Sequence, residues 1–216
     1  MSIAISEEHR ALQETARRFL TARCPPAVPR ALLDAEHETL PPFWAELAEL
    51  GWLGLHLPEA VGGQGYGIAE LAVILDEMGH AVAPGPFLPT VLASAAIAAS
   101  DVGDHDHHDH HDLLRSLADG STPAALAWDT DRMLEAAPAG AALRLHGTVR
   151  PVLGAGLARL LVLPVNTTNG PLWCAVPADE ATIFPIPSLD PTRRVAGVTV
   201  DDVIVPPERQ LYGLTT

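Results

Sequence analysis

A glycine-rich run between two apolar segments restricts the fold of this chain more than any other feature. Residues 57–67 read LPEAVGGQGYG, and glycine occupies four of the last six positions. Because glycine has no Cβ atom, such a run is typical of a backbone that turns sharply or lies against a flat surface. It is not a dinucleotide-binding fingerprint, since a helix and Pro58 precede it where that motif needs a β-strand. The run therefore predicts a tight connection between helices.

The first half of the chain is predicted to be helical. Ser6 is a candidate N-cap because Glu7 and Glu8 follow it, where the helix dipole favours acidic side chains. Pro25 would end that helix, because proline cannot continue the backbone hydrogen bonding. Further helices are predicted over residues 27–36, 42–50, 68–79, 91–99 and 113–118.

Helical spacing also predicts which side chains these helices bury and where they are capped. The third helix would bury three apolar residues, namely Phe43, Leu47 and Leu50. The helix after the glycine run has three apolar residues on one face, Leu71, Leu75 and Met78. Its acidic residues lie off that face, at Glu70, Asp76 and Glu77. Two caps are predicted as well, Gly51 at the end of the third helix and Thr90 at the start of the fifth.

After Gly120 the pattern changes to short β-branched or apolar runs separated by turn residues. Strands are predicted over residues 124–128, 142–146, 148–153, 160–165, 172–176, 182–186 and 195–205. Hairpin turns are predicted at residues 146–148 and, with a stronger Asn-Gly signal, at residues 167–170. Such strands are typical of an antiparallel barrel or sandwich. The order predicts an α+β chain, with a helical domain over residues 1–118 and a β-domain over residues 119–216.

The composition excludes several classes of partner. The formal net charge is −14, and the 13 cationic residues are all arginines that form no basic stripe. Binding to nucleic acids and to anionic membranes is therefore not expected, because both need basic patches. No apolar run approaches the roughly 20 residues of a membrane span, and the first ten residues lack a signal-peptide pattern. Cys24 and Cys174 are expected to be free thiols in the cytoplasm, since they lack metal-type spacing.

A run of histidines and aspartates over residues 104–112 raises the question of a metal site. Both residue types are ligands for zinc, nickel or copper. A specific site, however, needs ligands at fixed spacing with supporting contacts, which a repetitive loop does not supply. The run is therefore interpreted as a solvated loop with opportunistic metal affinity, and no metal ligand is assigned.

Two blocks of the sequence resemble the acyl-CoA dehydrogenase family. The predicted helix 42–50, the segment GWLGL at 51–55 and the glycine run resemble the family's amino-terminal helical domain. Residues 143–164 resemble a strand, glycine turn and strand of its middle β-domain, and residues 189–211 resemble the strand pair that ends it. In the family, the glycine run would shape the wall of the acyl cavity; the alternative is a tight turn packed under Trp52.

The resemblance implies a flavin enzyme that oxidises an acyl-CoA thioester to the 2,3-enoyl thioester. In such enzymes a carboxylate removes the α-proton while the FAD accepts the β-hydride. The base lies in a carboxy-terminal helical bundle, which would follow Thr216. No catalytic residue is therefore assigned to this chain. A β-domain face is expected to be apolar and bare unless an acyl-CoA dehydrogenase-type chain covers it in a homo- or hetero-oligomer.

The short sequence motifs that contact the flavin in the family are altered in this chain. Residues 126–133 lack the Glu-Pro and Gly-Ser pairs, and Arg150 is followed by PVLG instead of an aromatic and a hydroxyl residue. Trp128 and Thr130 are candidate replacements, as a ring that stacks on the flavin and a hydrogen-bond donor at a strand end. The alternative is that Trp128 is a core residue of the barrel.

Two hypotheses follow for the function. In the first, the chain is part of a FAD-dependent acyl-CoA dehydrogenase whose base comes from another chain or a missing region. In the second, it is a non-catalytic binding or scaffolding protein that kept the fold and pairs with an intact dehydrogenase. Flavin bleaching by an acyl-CoA would favour the first, and colourless protein in a stable complex would favour the second.

Overall fold

Helices precede strands throughout the computed structural model, which describes residues 6–100, 108–128 and 130–214. Its helices are α1 (Glu7–Arg23), α2 (Ala27–Ala31), α3 (Trp44–Glu49), α4 (Ile68–His80), α5 (Phe87–Ala99) and α6 (His108–Ala118). Its strands are β1 (Ala124–Leu126), β2 (Leu134–Ala139), β3 (Ala142–Leu153), β4 (Leu160–Thr167), β5 (Gly170–Pro177), β6 (Thr182–Ile186), β7 (Val195–Val205) and β8 (Gln210–Leu211). The predicted α+β class is confirmed.

Helix α1 begins as predicted, and its cap is tied to α4. The Ser6 hydroxyl accepts a hydrogen bond from the His9 backbone N–H at 3.1 Å. His9 Nε2 lies 2.9 Å from an Oε1 atom of Glu70, whose other carboxylate oxygen caps the Gly67 N–H at the start of α4. The first turns of α1 and α4 therefore lie side by side, and the two helices pack in parallel.

The second, third and fifth helices differ from the predictions. Helix α2 stops at Ala31 instead of residue 36, because the next N–H groups, of Leu32 and Leu33, donate to carbonyls three residues back instead of four. The Arg194 side chain binds the carbonyls of Ala35 and Glu36 in the segment that follows. Leu50 is 44% exposed instead of buried. Thr90 lies inside α5 and does not cap it. That helix begins with prolines, whose missing N–H costs nothing in a first turn.

The eight described strands form one mostly antiparallel sheet in the order β6-β7-β3-β2-β4-β5-β8, with β1 beside β4. Strands β1 and β2 run parallel to β4. The predicted hairpin at residues 167–170 is confirmed, since Thr167 pairs with Gly170. The hairpin predicted at residues 146–148 is wrong: β3 continues through Gly147, and its pairing with β7 shifts register just before, between Leu145 and His146. The turn lies instead at Gly140, between β3 and the unpredicted β2.

Strands β4 and β5 are buried on both faces, because the helices pack on one face of the sheet and other sheet residues pack on the second. Along β4, Leu161, Leu163 and Val165 enter a core between sheet residues. The alternate residues Leu160 and Val162 pack against α5, α6 and the segment before α4. This alternation follows from the two-residue period of a strand. The helical layer therefore lies directly on one face of the sheet.

Side-chain hydrogen bonds of Thr90, Trp44 and Arg194 join the helical half to the strand half. The Thr90 hydroxyl accepts from the Ala124 N–H at 3.0 Å and donates to the Ala124 carbonyl at 3.3 Å. Trp44 Nε1 donates to the Gly120 carbonyl at 2.9 Å. Arg194, immediately before β7, reaches back to the segment after α2, as described above. The contacts of Thr90 and Trp44 fix the start of β1, the short strand after which the candidate cofactor residues lie.

Candidate cofactor site and neighbouring cavities

Trp128 and Thr130 lie just beyond the end of β1. The Trp128 side chain is 66% exposed, so the alternative that it is a barrel-core residue is wrong. The strand ends at Leu126, and only Ala127 continues its pairing by donating to the Val162 carbonyl at 2.9 Å. One face of an aromatic ring is therefore available at this strand end for stacking.

Several polar groups that follow Trp128 already have partners within the chain. The Thr130 hydroxyl donates to the Arg132 carbonyl at 2.7 Å. The Asp131 N–H donates to the Arg150 carbonyl at 2.9 Å, and Arg150 Nε contacts the Asp131 carboxylate at 3.4 Å. A flavin needs donors for its polar ring edge and for its pyrophosphate. Among the described residues this strand end offers a stacking face, but the Thr130 hydroxyl and the Asp131 N–H are engaged within the chain, so these two groups do not complete a flavin site.

The end of β3 meets the start of α5 close to this strand end. Gly154 has φ +70°, and a Cβ atom there would lie 3.0 Å from Pro89 Cγ. It occupies the region where the family places its aromatic and hydroxyl residues, which the sequence replaces with PVLG. The close approach of Pro89 leaves no room for a larger side chain at Gly154. The altered motif PVLG, which ends at Gly154, thus has a packing role in this chain.

The glycine run forms a closed loop pinned to the segment before it. Four backbone N–H groups donate to carbonyls of residues 54–58, from Gly63, Gln64, Gly65 and Tyr66, at 2.9–3.0 Å. A Cβ atom on Gly63 would lie 2.0 Å from the Leu57 carbonyl oxygen. Trp52 lies buried beside the loop, and a cavity of about 440 Å³ opens between them and the first turns of α1 and α4. The loop is thus the predicted tight connection.

A larger groove of about 820 Å³ lies where α1 and α4 end and α2 begins. Its walls are mostly apolar and include Leu20, Pro29 and Leu33. At one side lies an ion pair between helices, in which Arg17 Nη2 and Nε donate to the two carboxylate oxygens of Glu77 at 2.7 and 3.1 Å. Glu77 is only 3% exposed, although its helical position predicts that it lies off the apolar face.

The hydrogen bonds from Arg17 hold the pKa of Glu77 below its usual range, although burial alone would raise it. A lowered pKa in the folded chain means that the unfolded chain binds more protons in acid. The pair therefore contributes its full stability above the ordinary carboxyl pKa of about 4.3. This contribution is lost as the pH falls through the lower folded value.

We expect Glu77→Gln to flatten the acid limb of the stability profile. Urea unfolding between about pH 7 and pH 3 should show the parent losing stability more steeply than the variant. The variant should keep part of the slope, because a hydrogen bond from His9 also lowers the pKa of Glu70. Equal slopes in the two proteins would contradict the role given to the Arg17–Glu77 pair.

The expected bare apolar face is not found on the described part of the sheet. The outward side chains of β3 and β7 form polar pairs, Arg144 with Asp202, His146 with Asp201 and Thr148 with Thr199. Most of the large exposed apolar side chains belong to the helical half, namely Leu33, Leu40, Leu50, Tyr66, Ile68 and Val82. The large exposed apolar side chains thus lie mostly in the segments that connect the helices, while the apolar residues of the sheet fill two cores.

A buried serine–histidine pair does not form a nucleophilic site. Ser94 Oγ lies 3.1 Å from His56 Nε2 and donates its own proton to the Val91 carbonyl. Ser94 is fully buried, and burial lowers the pKa of His56. A nucleophile needs access to its substrate and a base that accepts its proton. This pair therefore stabilises the packing of α5.

No metal site is found in the part of the chain that the structure describes, where no three His, Cys, Asp or Glu residues form a cluster. Part of the histidine–aspartate run lies outside the described residues, and α6 begins within the run at His108, earlier than predicted. Both cysteines are free, as predicted, and burial raises the pKa of Cys174 to about 12. Within the described ranges, no helix is long and apolar enough to cross a bilayer.

Known proteins resemble the chain over nearly its whole length. Acyl-CoA dehydrogenase IpdE2 of Mycobacterium tuberculosis is 29% identical over 193 residues, which cover 88% of this chain and 50% of that protein. FadE34, an acyl-CoA dehydrogenase of the same organism, is 29% identical over 200 residues, covering 88% of this chain and 26% of that protein. The chain therefore spans half or less of the length of these two relatives.

Solved structures show the same architecture. A variant of the Tcur3481-Tcur3483 steroid ACAD matches with a TM-score of 0.84 and 31% identity, over 97% of this chain and 58% of that chain. The ChsE4-ChsE5 complex from Mycobacterium tuberculosis matches in fold with a TM-score of 0.86 at 24% identity, over 98% and 58%. The sequence model of the acyl-CoA dehydrogenase N-terminal domain matches residues 6–121, more than half of the sequence. The chain belongs to the acyl-CoA dehydrogenase family.

Proposed function

We propose that this chain is one component of a FAD-dependent enzyme that oxidises an acyl-CoA to the 2,3-enoyl-CoA. The catalytic base would come from another chain or from a region outside residues 1–216. Membership of the family supports the class of reaction. The half-length coverage of IpdE2 supports an incomplete active site in this chain. We also propose domains at residues 1–118 and 119–216, which agrees with the family match ending at residue 121.

The observation that carries this proposal is the composition of the strand end at Trp128. An exposed aromatic ring there suits one face of a flavin, while the engaged donors of Thr130 and Asp131 do not hold the rest. A site shared with a second component accounts for both features. Two structural neighbours, ChsE4-ChsE5 and Tcur3481-Tcur3483, are each named for two components, which supports a second dehydrogenase-type chain as partner.

The test is an anaerobic titration of the chain, alone and co-purified with candidate dehydrogenase-type chains, in the presence of FAD. We expect straight-chain or alicyclic acyl-CoA thioesters to bleach the flavin only in a complex, because hydride transfer needs the base and the flavin together. The absence of bleaching in every combination would count against the proposal.

The engaged donors at the strand end also favour a second candidate, a non-catalytic scaffolding component. Such a chain would form a stable complex with an intact dehydrogenase without contacting its flavin. The discriminating measurement is the flavin content per complex as this chain is titrated onto the dehydrogenase. Added flavin sites would favour the shared site, and unchanged content would favour the scaffold.

We expect Trp128→Ala to weaken flavin retention in the complex by about fivefold, the value of one aromatic stacking contact. The unfolding midpoint should stay the same, because the side chain is mostly exposed. Leu189→Ala is the matched control, since Leu189 is also exposed and projects from another loop. Equal flavin dissociation constants for both variants would contradict the role of Trp128.

A further inference from the structure

We infer that the groove at the C-terminal ends of α1 and α4 binds an apolar segment of a partner protein that carries carboxylates. The groove of about 820 Å³ is walled by apolar side chains of α1, α2 and the segment after α4. Leu33 and Val82, at 51% and 47% exposure, leave apolar surface at its edge. The inference rests on the proposed function only in that the expected partner is the second dehydrogenase-type component.

Val82 keeps this edge of the groove apolar, although its backbone conformation favours glycine. Helix α4 ends in a Schellman motif, in which the N–H groups of Val82 and Ala83 donate to the carbonyls of Gly79 and Met78. Val82 occupies the left-handed position with φ +49°, where glycine is usual and a β-branched side chain is strained. Its side chain is neither buried nor conformationally favoured in this chain. Contact of this side chain with another molecule explains why valine occupies the position.

The charged side chains around the groove determine which chemical groups a bound partner segment should carry. Arg17, Arg30 and His80 line it, and its one lining carboxylate, Glu77, is buried and already bound by Arg17. His80 Nε2 lies 3.7 Å from the Asp76 carboxylate, so Arg30 is the lining cation with no ion pair to another described residue. Neither Arg30 nor Thr21 has a side-chain hydrogen bond to another described residue. The accessible polar groups of the groove are thus mainly donors. The unpaired Arg30 gives the groove a local positive charge, on a chain of net charge −14, that is complementary to a carboxylate.

The charge of the groove predicts tighter binding of an acidic peptide, whereas the net charge of the whole chain predicts tighter binding of a basic one. A comparison of two such peptides therefore tests the inference. The probe is a fluorescein-labelled helical peptide of about 18 residues, five turns, with leucine on one face and glutamate on both flanks. A matched peptide carries lysine in place of glutamate. We expect fluorescence anisotropy at physiological ionic strength to show at least about tenfold tighter binding of the acidic peptide. Tighter or equal binding of the basic peptide would overturn the inference.

Variants locate the binding and separate it from folding. Leu33→Glu should weaken binding of the acidic peptide by about tenfold or more, since it puts a carboxylate in the apolar wall. Leu189→Glu, the same change at a fully exposed residue outside the groove, should leave it unchanged. Val82→Gly should also weaken binding while the Tm stays equal or rises, because glycine relieves the left-handed strain.

Two further outcomes would overturn the inference. One is equal binding by the Leu33→Glu and Leu189→Glu variants, which would place the peptide elsewhere. The other is displacement of the acidic peptide by dodecanoate below its micellar concentration with one-to-one stoichiometry, which would identify a small carboxylate as the occupant. Neither outcome affects the flavin titration, so failure here is distinguishable from failure of the proposed function.

Discussion

Gly63→Ala is expected to lower the free energy of unfolding by about 3 kcal/mol, because the new methyl group has no space. Its Cβ atom would lie 2.0 Å from the oxygen and 2.4 Å from the carbon of the Leu57 carbonyl, both backbone atoms. Relief requires the glycine loop to move, which breaks its hydrogen bonds to residues 54–58. Urea unfolding followed by tryptophan fluorescence measures the loss.

Gly79→Ala is the matched control for this variant. Gly79 lies in the last turns of α4, and no atom lies within 4 Å of a Cβ atom built there. Alanine should raise the free energy of unfolding by about 0.5–1 kcal/mol at this exposed helical position. Similar effects of the two substitutions would show that the loop is not closely packed.

Thr90→Val is expected to cost about 3 kcal/mol, because it leaves two buried backbone groups without partners. The Thr90 hydroxyl satisfies both the N–H and the carbonyl of Ala124, and both residues are fully buried. Valine has nearly the same shape but no hydroxyl, so the loss reports the hydrogen bonds. The measurement is the same urea unfolding experiment.

Thr90→Ser separates the hydroxyl from the methyl group. Serine keeps both hydrogen bonds and should lose only about 1 kcal/mol for the missing methyl group. If serine destabilised the chain as much as valine, packing would explain the contact, and the hydroxyl would not join α5 to β1 as described.

Local patterns in the sequence predicted much of the fold. The bounds of β6 and β7 agree with their predicted ranges, because β-branched residues bounded by turn residues mark a strand clearly. Helix α4 agrees to within one residue, since its apolar period is regular. Strand β2 was missed because its sequence LEAAPA contains alanines and a proline, which give a weak strand signal. Its pairing with β3 decides its structure.

The candidate sites depended on contacts between distant residues, which local patterns do not contain. Glu77 was predicted off the apolar face, yet Arg17, 60 residues earlier, neutralises it where it is buried. A glutamate next to the apolar residues of α4 and an arginine on α1 are the only sequence signals for this pair. The selection of Trp128 stays a prediction, and the exposure of its side chain depends on β1 ending early, at Leu126. No local signal gives that end point.

The central claim is that this chain supplies part of a flavin site and that a dehydrogenase-type component supplies the rest. The most direct measurement is the visible spectrum of the desalted chain after incubation with excess FAD, alone and in complex with such a component. The account predicts no flavin absorption band for the chain alone and a stoichiometric band for the complex, beyond any flavin that the component retains by itself. A stoichiometric flavin band in the isolated chain would contradict it.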